Sequence, residues 1–299
     1  MKAPTAKPRK QTASQAKRPF RAAFQGELGA FSHVAIQQLF GPNAEPVPEP
    51  WFDQVFSALA RGEVDAAVVP IENTLYGSVH QSVDLLLKHD FVITGETSVR
   101  VMFHVIAPPG VRFKDIRKVY SHPVALDQCL DFLAHNKQIE REAFYDSAGA
   151  VKMLMEQRIP NAAAIAGDVA ATTYNARILK RGIEDDRQNY TRFFLLEPAG
   201  AKPRELLHKS TKNANRWKTS LVFTTRNVTG ALFRALSAVA LRDLDIAKIE
   251  SRPLRGKPWE YLFYLDLFGH TEDTAVKNAL AHLNEVADFL RVLGTYRAG

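Results

Sequence analysis

Cysteine is nearly absent from this chain of 299 residues: Cys129 stands alone. An internal disulfide is therefore excluded, and a reducing compartment is expected. No stretch approaches the ~20 consecutive apolar residues that cross a bilayer, so no membrane span is expected. A basic N-terminus is present without an apolar segment behind it, which argues against a secretory signal. Zinc-ligand spacings, Walker-type glycine patterns and aromatic-basic stripes are missing from the body, so neither a metal nor nucleic acid is expected as a partner. Acidic residues are missing from residues 1–19, which hold Lys2, Lys7, Arg9, Lys10, Lys17 and Arg18. That segment owns almost all of the formal net charge of +7. Its Pro, Ala, Ser and Thr leave too little apolar surface to fold, so residues 1–19 read as a disordered basic tail. A transit peptide or a weak polyanion contact stays open for it.

What is present is an alternation of short apolar runs and amphipathic segments over residues 20–197. Phe20 to Phe24, Asp65 to Val69, Val119-Tyr120, Ile139 to Phe144, Ala162 to Ala166 and Phe193 to Leu196 read as strands. Phe31 to Phe40, Trp51 to Arg61, Val79 to Lys88, Ala125 to Ala134, Ser147 to Met155 and Asp168 to Tyr174 carry helical periodicity. The alternation predicts βαβ units in two α/β lobes of similar size, with a mostly parallel sheet and a cleft at the strand ends. Residues 198–216 break the pattern with Pro198, Gly200, Pro203 and a polar, basic run, which reads as a linker. Residues 217–299 then give the order βαββαβ of a ferredoxin-like unit.

Four polar clusters sit at predicted strand ends: Pro70-Ile71-Glu72-Asn73-Thr74, Ser121-His122-Pro123, Tyr145-Asp146-Ser147-Ala148 and Asn189-Tyr190-Thr191-Arg192-Phe193-Phe194. Asn73 offers a donor and an acceptor, Thr191 a hydroxyl, and Arg192 a fixed cation suited to a carboxylate or to an ion pair between lobes. Ser121 and Ser147 read as helix caps that double as donors to an anion. Gln128 falls one turn or more into the helix after Pro123. Cys129 reads as a core residue, and His122 as a structural donor beside a cap.

In this order, and with Gly26-Glu27-Leu28-Gly29-Ala30-Phe31-Ser32 before them, the clusters resemble the prephenate dehydratase family. The later Gly230-Ala231-Leu232 and Glu250-Ser251-Arg252-Pro253 resemble the phenylalanine-responsive ACT domains attached to such enzymes. The sequence departs from the family pattern at Thr74, Val124 and Asn227, where Ser, Gln and His are usual. The resemblance implies a two-lobed, periplasmic-binding-protein-like catalytic domain (residues 20–197) and an ACT regulatory domain (217–299). It implies a lyase that converts prephenate to phenylpyruvate without a cofactor, on the route to phenylalanine. Thr191 is expected to be catalytic, and Asn73, Ser121, Gln128, Ser147 and Arg192 to bind substrate. L-Phenylalanine is expected as effector at Gly230, Ala231, Leu232, Glu250, Ser251 and Arg252, in a homodimer or homotetramer. Arogenate dehydratase is the alternative within enzymes. A two-lobed solute-binding protein and a noncatalytic amino-acid sensor are the alternatives outside them. A cytoplasmic location is expected.

Overall fold

The computed structural model describes residues 18–204, 216–254, 256–257 and 259–299. The expected tail therefore lies outside the described residues except for Arg18 and Pro19. Residues 205–215 of the expected linker also lie outside them.

The first lobe is built on β1 (Phe20–Gln25), α1 (Phe31–Phe40), β2 (Ala44–Glu49), α2 (Phe52–Ala60), β3 (Ala66–Asn73), β4 (Gly77–Ser78), α3 (His80–Lys88) and β5 (Phe91–Arg100). The chain then crosses to the second lobe. That lobe holds β6 (His104–Ala107), β7 (Lys118–Ser121), α4 (Pro123–Asp127), α5 (Leu130–His135), β8 (Glu140–Ala143), α6 (Ser147–Gln157), β9 (Ala162–Ala166), α7 (Asp168–Thr173) and β10 (Arg177–Arg181). A second crossing returns it to the first lobe as β11 (Tyr190–Pro198). The first sheet runs β2-β1-β3-β11-β5, with β4 paired to β3, and the second β10-β6-β9-β7-β8. Both sheets are mixed rather than mostly parallel: β11 runs antiparallel to β3 and β5, and β6 antiparallel to β9 and β10. The returning crossover imposes this, because a chain that leaves a lobe on one strand re-enters it on another of opposite direction.

Helix faces follow the apolar spacing. On α2, Val55, Phe56 and Leu59 are buried against the first sheet, as their i, i+1, i+4 spacing requires. The all-buried β9, Ala162-Ala163-Ala164-Ile165-Ala166, is the central strand of the second sheet and is covered by α6.

Past the described part of the linker come β12 (Trp217–Thr224), α8 (Ala231–Ala240), β13 (Ile246–Pro253), β14 (Tyr261–Phe268), α9 (Thr274–Val286) and β15 (Phe289–Arg297), in the sheet order β13-β14-β12-β15. This is the ferredoxin-like unit. Its helices cover one face, burying Leu221, Phe223, Leu265 and Leu267 with Ala238, Val239 and Leu283. Its other face is not open to water. Val222, Leu262, Leu293 and Tyr296 share a core with Val69, Ile71, Leu86 and Phe194 of the first lobe. The approach is close enough that a Cβ on Gly294 would sit 2.2 Å from the carbonyl oxygen of Ile93.

Candidate active site

A cleft of about 430 Å³ lies between the lobes, where their strands end. Thr191 and Asn73 meet in it because they are partners in the β11–β3 register. Asn73 Nδ2 donates to Thr191 Oγ1 at 3.0 Å and to Asn189 Oδ1 at 2.8 Å. Asn73 Oδ1 accepts the backbone N–H groups of Leu75 and Tyr76, both at 3.0 Å. These contacts fix which end of the amide faces Thr191, since only the nitrogen can donate. Asn189, fully buried, donates from Nδ2 to Gln128 Oε1 at 2.9 Å. Gln128, Asn189, Asn73 and Thr191 thus form one chain of hydrogen bonds from the second lobe to the first.

Gln128 reaches this position because the helix expected over Ala125 to Ala134 breaks. It divides into α4 and α5, and Asp185 accepts the N–H groups of Leu130 at 2.8 Å and Asp131 at 3.0 Å where the second piece starts. Thr74 keeps β3 and β11 together at this end. Its hydroxyl donates to the Gln188 carbonyl at 2.7 Å and accepts the N–H of Tyr190 at 3.0 Å.

Two expected caps are displaced by one residue. Asp146, not Ser147, caps α6, accepting the N–H of Gly149 at 2.7 Å. His122, not Ser121, caps α4: its Nδ1 accepts the N–H of Val124 at 3.3 Å, which leaves the neutral ring's proton on Nε2. Ser147 lines the cleft, whereas Ser121 lies fully buried behind it. Ser121 donates to the Ile165 carbonyl at 2.5 Å and pairs with Ser147 Oγ at 3.0 Å.

Arg192 is not brought into the cleft. Successive residues of a strand face opposite ways, so Thr191 and Phe193 line the cleft while Arg192 and Phe194 face the C-terminal unit. Neither reading kept for this guanidinium holds: it anchors no carboxylate in the cleft, and its ion pairs run not between the lobes but to the C-terminal unit and within the first lobe. It is paired with Asp266, with Glu96 at 3.5 Å and with Glu72 at 3.9 Å. Burial alone would lower its pKa, but Asp266 and Glu96 outweigh that and raise it.

Among the described residues that line the cleft there is no Lys or Arg. Positive potential there comes from backbone. The starts of α1 and α7 reach the cleft at Ala30, Phe31, Ser32 and Gly167 with N–H groups unpaired inside their helices, whereas at the starts of α4 and α6 His122 accepts the N–H of Val124 and Asp146 those of Ala148 and Gly149. Phe31, Phe52, Val101, Phe103 and Phe193 supply apolar wall. One acid, Asp146, joins them; burial pushes its carboxyl up to about 6, against the N–H groups of Gly149, Ala148 and Glu27 that pull it down.

The lobes are clasped at this edge. Glu27 of the first lobe accepts from Tyr145 Oη at 2.7 Å and Lys152 Nζ at 3.0 Å of the second. Gly29 packs so closely on α7 that a Cβ there would lie 2.6 Å from Ala170 Cα. Burial lowers the pKa of His122, raises that of the Cys129 thiol, and leaves Cys129 a core residue.

Asn189 and Asp146 stand in the motifs quoted above, but pattern alone assigned them no part. Asn189 shows its position only once β11 and the Gln128 turn are folded together.

The residues expected to hold an effector are divided. Gly230, with φ 78°, caps α8 and is followed by half-exposed Leu232 and exposed Phe233. Glu250 faces the first lobe, accepting from Ser78 Oγ and pairing with Lys248 at 3.3 Å and His80 at 3.4 Å. Arg252 pairs with Asp84 of α3 at 3.2 Å.

The prephenate dehydratase family model matches residues 22–201, the part that carries the cleft and all four clusters. The chain belongs to the prephenate dehydratase family. It is 43% identical to arogenate dehydratase/prephenate dehydratase 2, chloroplastic, of Arabidopsis thaliana, over 92% of this chain and 72% of that one. Among solved structures it resembles prephenate dehydratase from Arthrobacter aurescens in complex with L-Phe, at 30% identity and TM-score 0.82, over 93% of this chain and 89% of that one. It also resembles GqqA, described as a novel type of quorum-quenching acylase, at 30% identity and TM-score 0.82, over 93% and 98%. A dehydratase is thereby supported.

The cytoplasmic expectation is overturned by the same comparisons. This Arabidopsis relative and two others, at 39% and 38% identity, are chloroplastic, which points to a plastid. A lone buried cysteine could not separate the two compartments, because it speaks to a reducing environment and both are reducing.

Proposed function

We propose that this dehydratase converts prephenate to phenylpyruvate in the cleft between the lobes. The observation that carries this reading is the Asn73–Thr191 hydrogen bond at 3.0 Å. With Oγ1 accepting from the amide, the threonine O–H is left to donate to a departing oxygen. Prephenate is a dianion. The bond to its ring carboxylate breaks and releases carbon dioxide, and those electrons complete the aromatic ring. The ring C–O bond breaks, and the hydroxyl leaves with one added proton as water. The product keeps the side-chain carboxylate. Aromatisation provides the driving force, so the protein's tasks are orientation and proton delivery. A threonine hydroxyl is a weak acid, and its proton is replaced through water. Gln128 and Ser147 orient the substrate, Ser121 acts by holding Ser147, and the helix starts receive the carboxylates. Residues 20–197 form the catalytic domain and residues 217–299 an ACT regulatory domain.

The second reading is arogenate, which carries an ammonium where prephenate has a ketone. It is favoured by the Arabidopsis relative's double name and by Asp146, a carboxyl on the cleft wall. Acyl transfer, the activity named for GqqA, finds less support. Ser121 donates to a backbone carbonyl, Ser147 pairs with it, and Thr191 faces an amide, so none of these hydroxyls is hydrogen-bonded to a base. Steady-state kinetics of the purified protein on prephenate and arogenate test the reading. The expected result is a higher kcat/KM on prephenate; a folded protein that turns over neither would overturn it.

L-Phenylalanine, the ligand in the Arthrobacter structure, is the inhibitor in this reading. Glu250 and Arg252 are taken up by the first lobe while Leu232 stays half-exposed, so in this reading a second copy completes the effector pocket, in a homodimer or homotetramer. Exposed Phe233 and Ile249 suit such a contact. Titration of the intact enzyme with L-phenylalanine, with its mass in solution measured alongside, is expected to give inhibition and at least a dimer. A fully active, uninhibited monomer would remove this part.

A further inference from the structure

The cleft wall formed by β11, β3 and β4 is gripped from behind. On β11, Thr191 faces the cleft and Arg192 meets Asp266 of β14. On β3, Asn73 faces Thr191, while Glu72 meets Lys248 of β13 at 3.0 Å. On β4, Ser78 lines the cleft, accepts from Lys248 Nζ at 2.8 Å and donates to Glu250. Each polar group of this wall is thus held by the C-terminal unit, either directly or through its chain neighbour.

The backbone ladder between β11 and β3 is interrupted at the same place. Between β11 and β3 the register runs Thr191↔Asn73, Arg192↔Glu72, then Phe193↔Pro70, so Ile71 is bulged out beside the site. Pro70 has no N–H to give the ladder. The side-chain grip makes up for this. Asp266 is 6% exposed, with one oxygen taken by Ser220 Oγ at 2.6 Å and the other by Arg192. Arg192 is further fixed by the Phe194 ring, 4.9 Å from its guanidinium carbon.

We infer that Asp266 and Lys248 are positioning residues for the reaction. Asp266 acts through Arg192 to hold Thr191, and Lys248 acts through Glu72 and Ser78 to hold Asn73. The C-terminal unit is then part of the site's frame with no effector bound. Displacement of a reacting group by about 1 Å costs on the order of 10²-fold in rate. A loosened wall therefore lowers kcat with little effect on KM, because the helix starts that receive the carboxylates lie elsewhere. This inference rests on the site reading above.

The test compares Asp266→Asn with Ser220→Ala in the full chain, without phenylalanine, on whichever of the two substrates the parent turns over faster. Ser220→Ala removes the other partner of Asp266 and leaves Arg192 untouched. Asp266→Asn is expected to lower kcat by about 10-fold or more with KM within about 2-fold. Ser220→Ala should lower the melting temperature but keep the parental kcat. Lys248→Met is expected to lower kcat likewise, and Lys248→Arg to restore it. If Asp266→Asn does not fold, as judged by circular dichroism, the Lys248 pair decides. The inference is overturned if Asp266→Asn keeps the parental kcat, if Ser220→Ala loses as much, or if Lys248→Met matches the parent. Thr191→Ala separates the two levels. Parental turnover in that variant removes the site reading itself, whereas an inactive Thr191→Ala beside a fully active Asp266→Asn removes the positioning alone.

Discussion

Thr191 carries the chemistry in this reading, and its place in the register makes it testable. Thr191→Ala is expected to lower kcat by about 10²-fold or more, as for a lost proton-transfer group. Its melting temperature should stay near the parental one, since the hydroxyl faces the cleft. Thr191→Ser keeps the hydroxyl and should retain more turnover; an active alanine variant would remove the assignment. Asp146 gives a pH test. Its carboxyl is neutral below about 6 and negative above it, so KM for a dianion should rise as pH climbs through that value. Asp146→Asn should flatten the KM profile, and a parental profile in that variant would clear Asp146. The same carboxyl contributes stability below its ordinary value of 3.8, and that contribution is lost as pH rises through about 6. Residue types made Thr191, Asn73, Gln128 and Ser147 legible as a set. They could not say that Ser121 is hidden behind Ser147, because two serines at two strand ends are equivalent until their loops pack. Nor could they find the partner of Arg192, since Asp266 lies 74 positions away in the C-terminal unit.

Helices were the elements easiest to read. Phe31–Phe40 has the expected bounds, and α2, α3, α6 and α7 lie within two residues of theirs, because an apolar stripe at helical spacing has one stable use. Strands β2 and β10 were not legible. β2 contains Pro46 and Pro48 and survives as an edge strand, paired on one side to β1. β10 carries Arg177, Lys180 and Arg181 and is also an edge, so it lacks the apolar run that marks a buried strand. The turn before α1 shows what element contacts do for the cleft. Gly29 has φ +92° and rests on Ala170 of α7, so the two lobes meet through a position with no side chain. Gly29→Ala should therefore push the lobes apart and lower kcat/KM by about 10²-fold. Gly62→Ala is the matched control, with φ +68° but nothing within 4 Å of the added Cβ, so it carries backbone strain without the clash. Equal kinetic losses in both variants would attribute the effect to strain alone.

At the scale of the whole molecule, the polar, basic stretch after Pro198 suggests two separable units, and the packing argues the reverse. Glu96, Arg192, Lys218 and Asp266 form a buried cluster across the boundary, with Lys218 Nζ 2.5 Å from Glu96 and the guanidinium against Asp266. Burial alone would push the Asp266 carboxyl up, but Arg192 and the Ser220 hydroxyl bring it below the usual carboxylate range. Removal of residues 217–299 would take Asp266 from Arg192 and Lys218 from Glu96 at once, leaving this cation and this acid to each other at 3.5 Å and open to water. It would also expose Val69, Ile71, Leu86 and Phe194, now covered by Val222, Leu262, Leu293 and Tyr296. Fully burying one such side chain is worth about 1.5–3 kcal/mol and typical domain stabilities are about 5–15 kcal/mol, so uncovering four of them is comparable to the whole margin. A chain ending at residue 216 is therefore expected to be aggregated or to lack a cooperative thermal transition, and to be inactive for that reason rather than for want of an effector. Circular dichroism melts and turnover of the truncated and full chains check this. A truncated protein that melts cooperatively and keeps parental kcat would mean that the buried cluster is dispensable and that the C-terminal unit stands apart from the site.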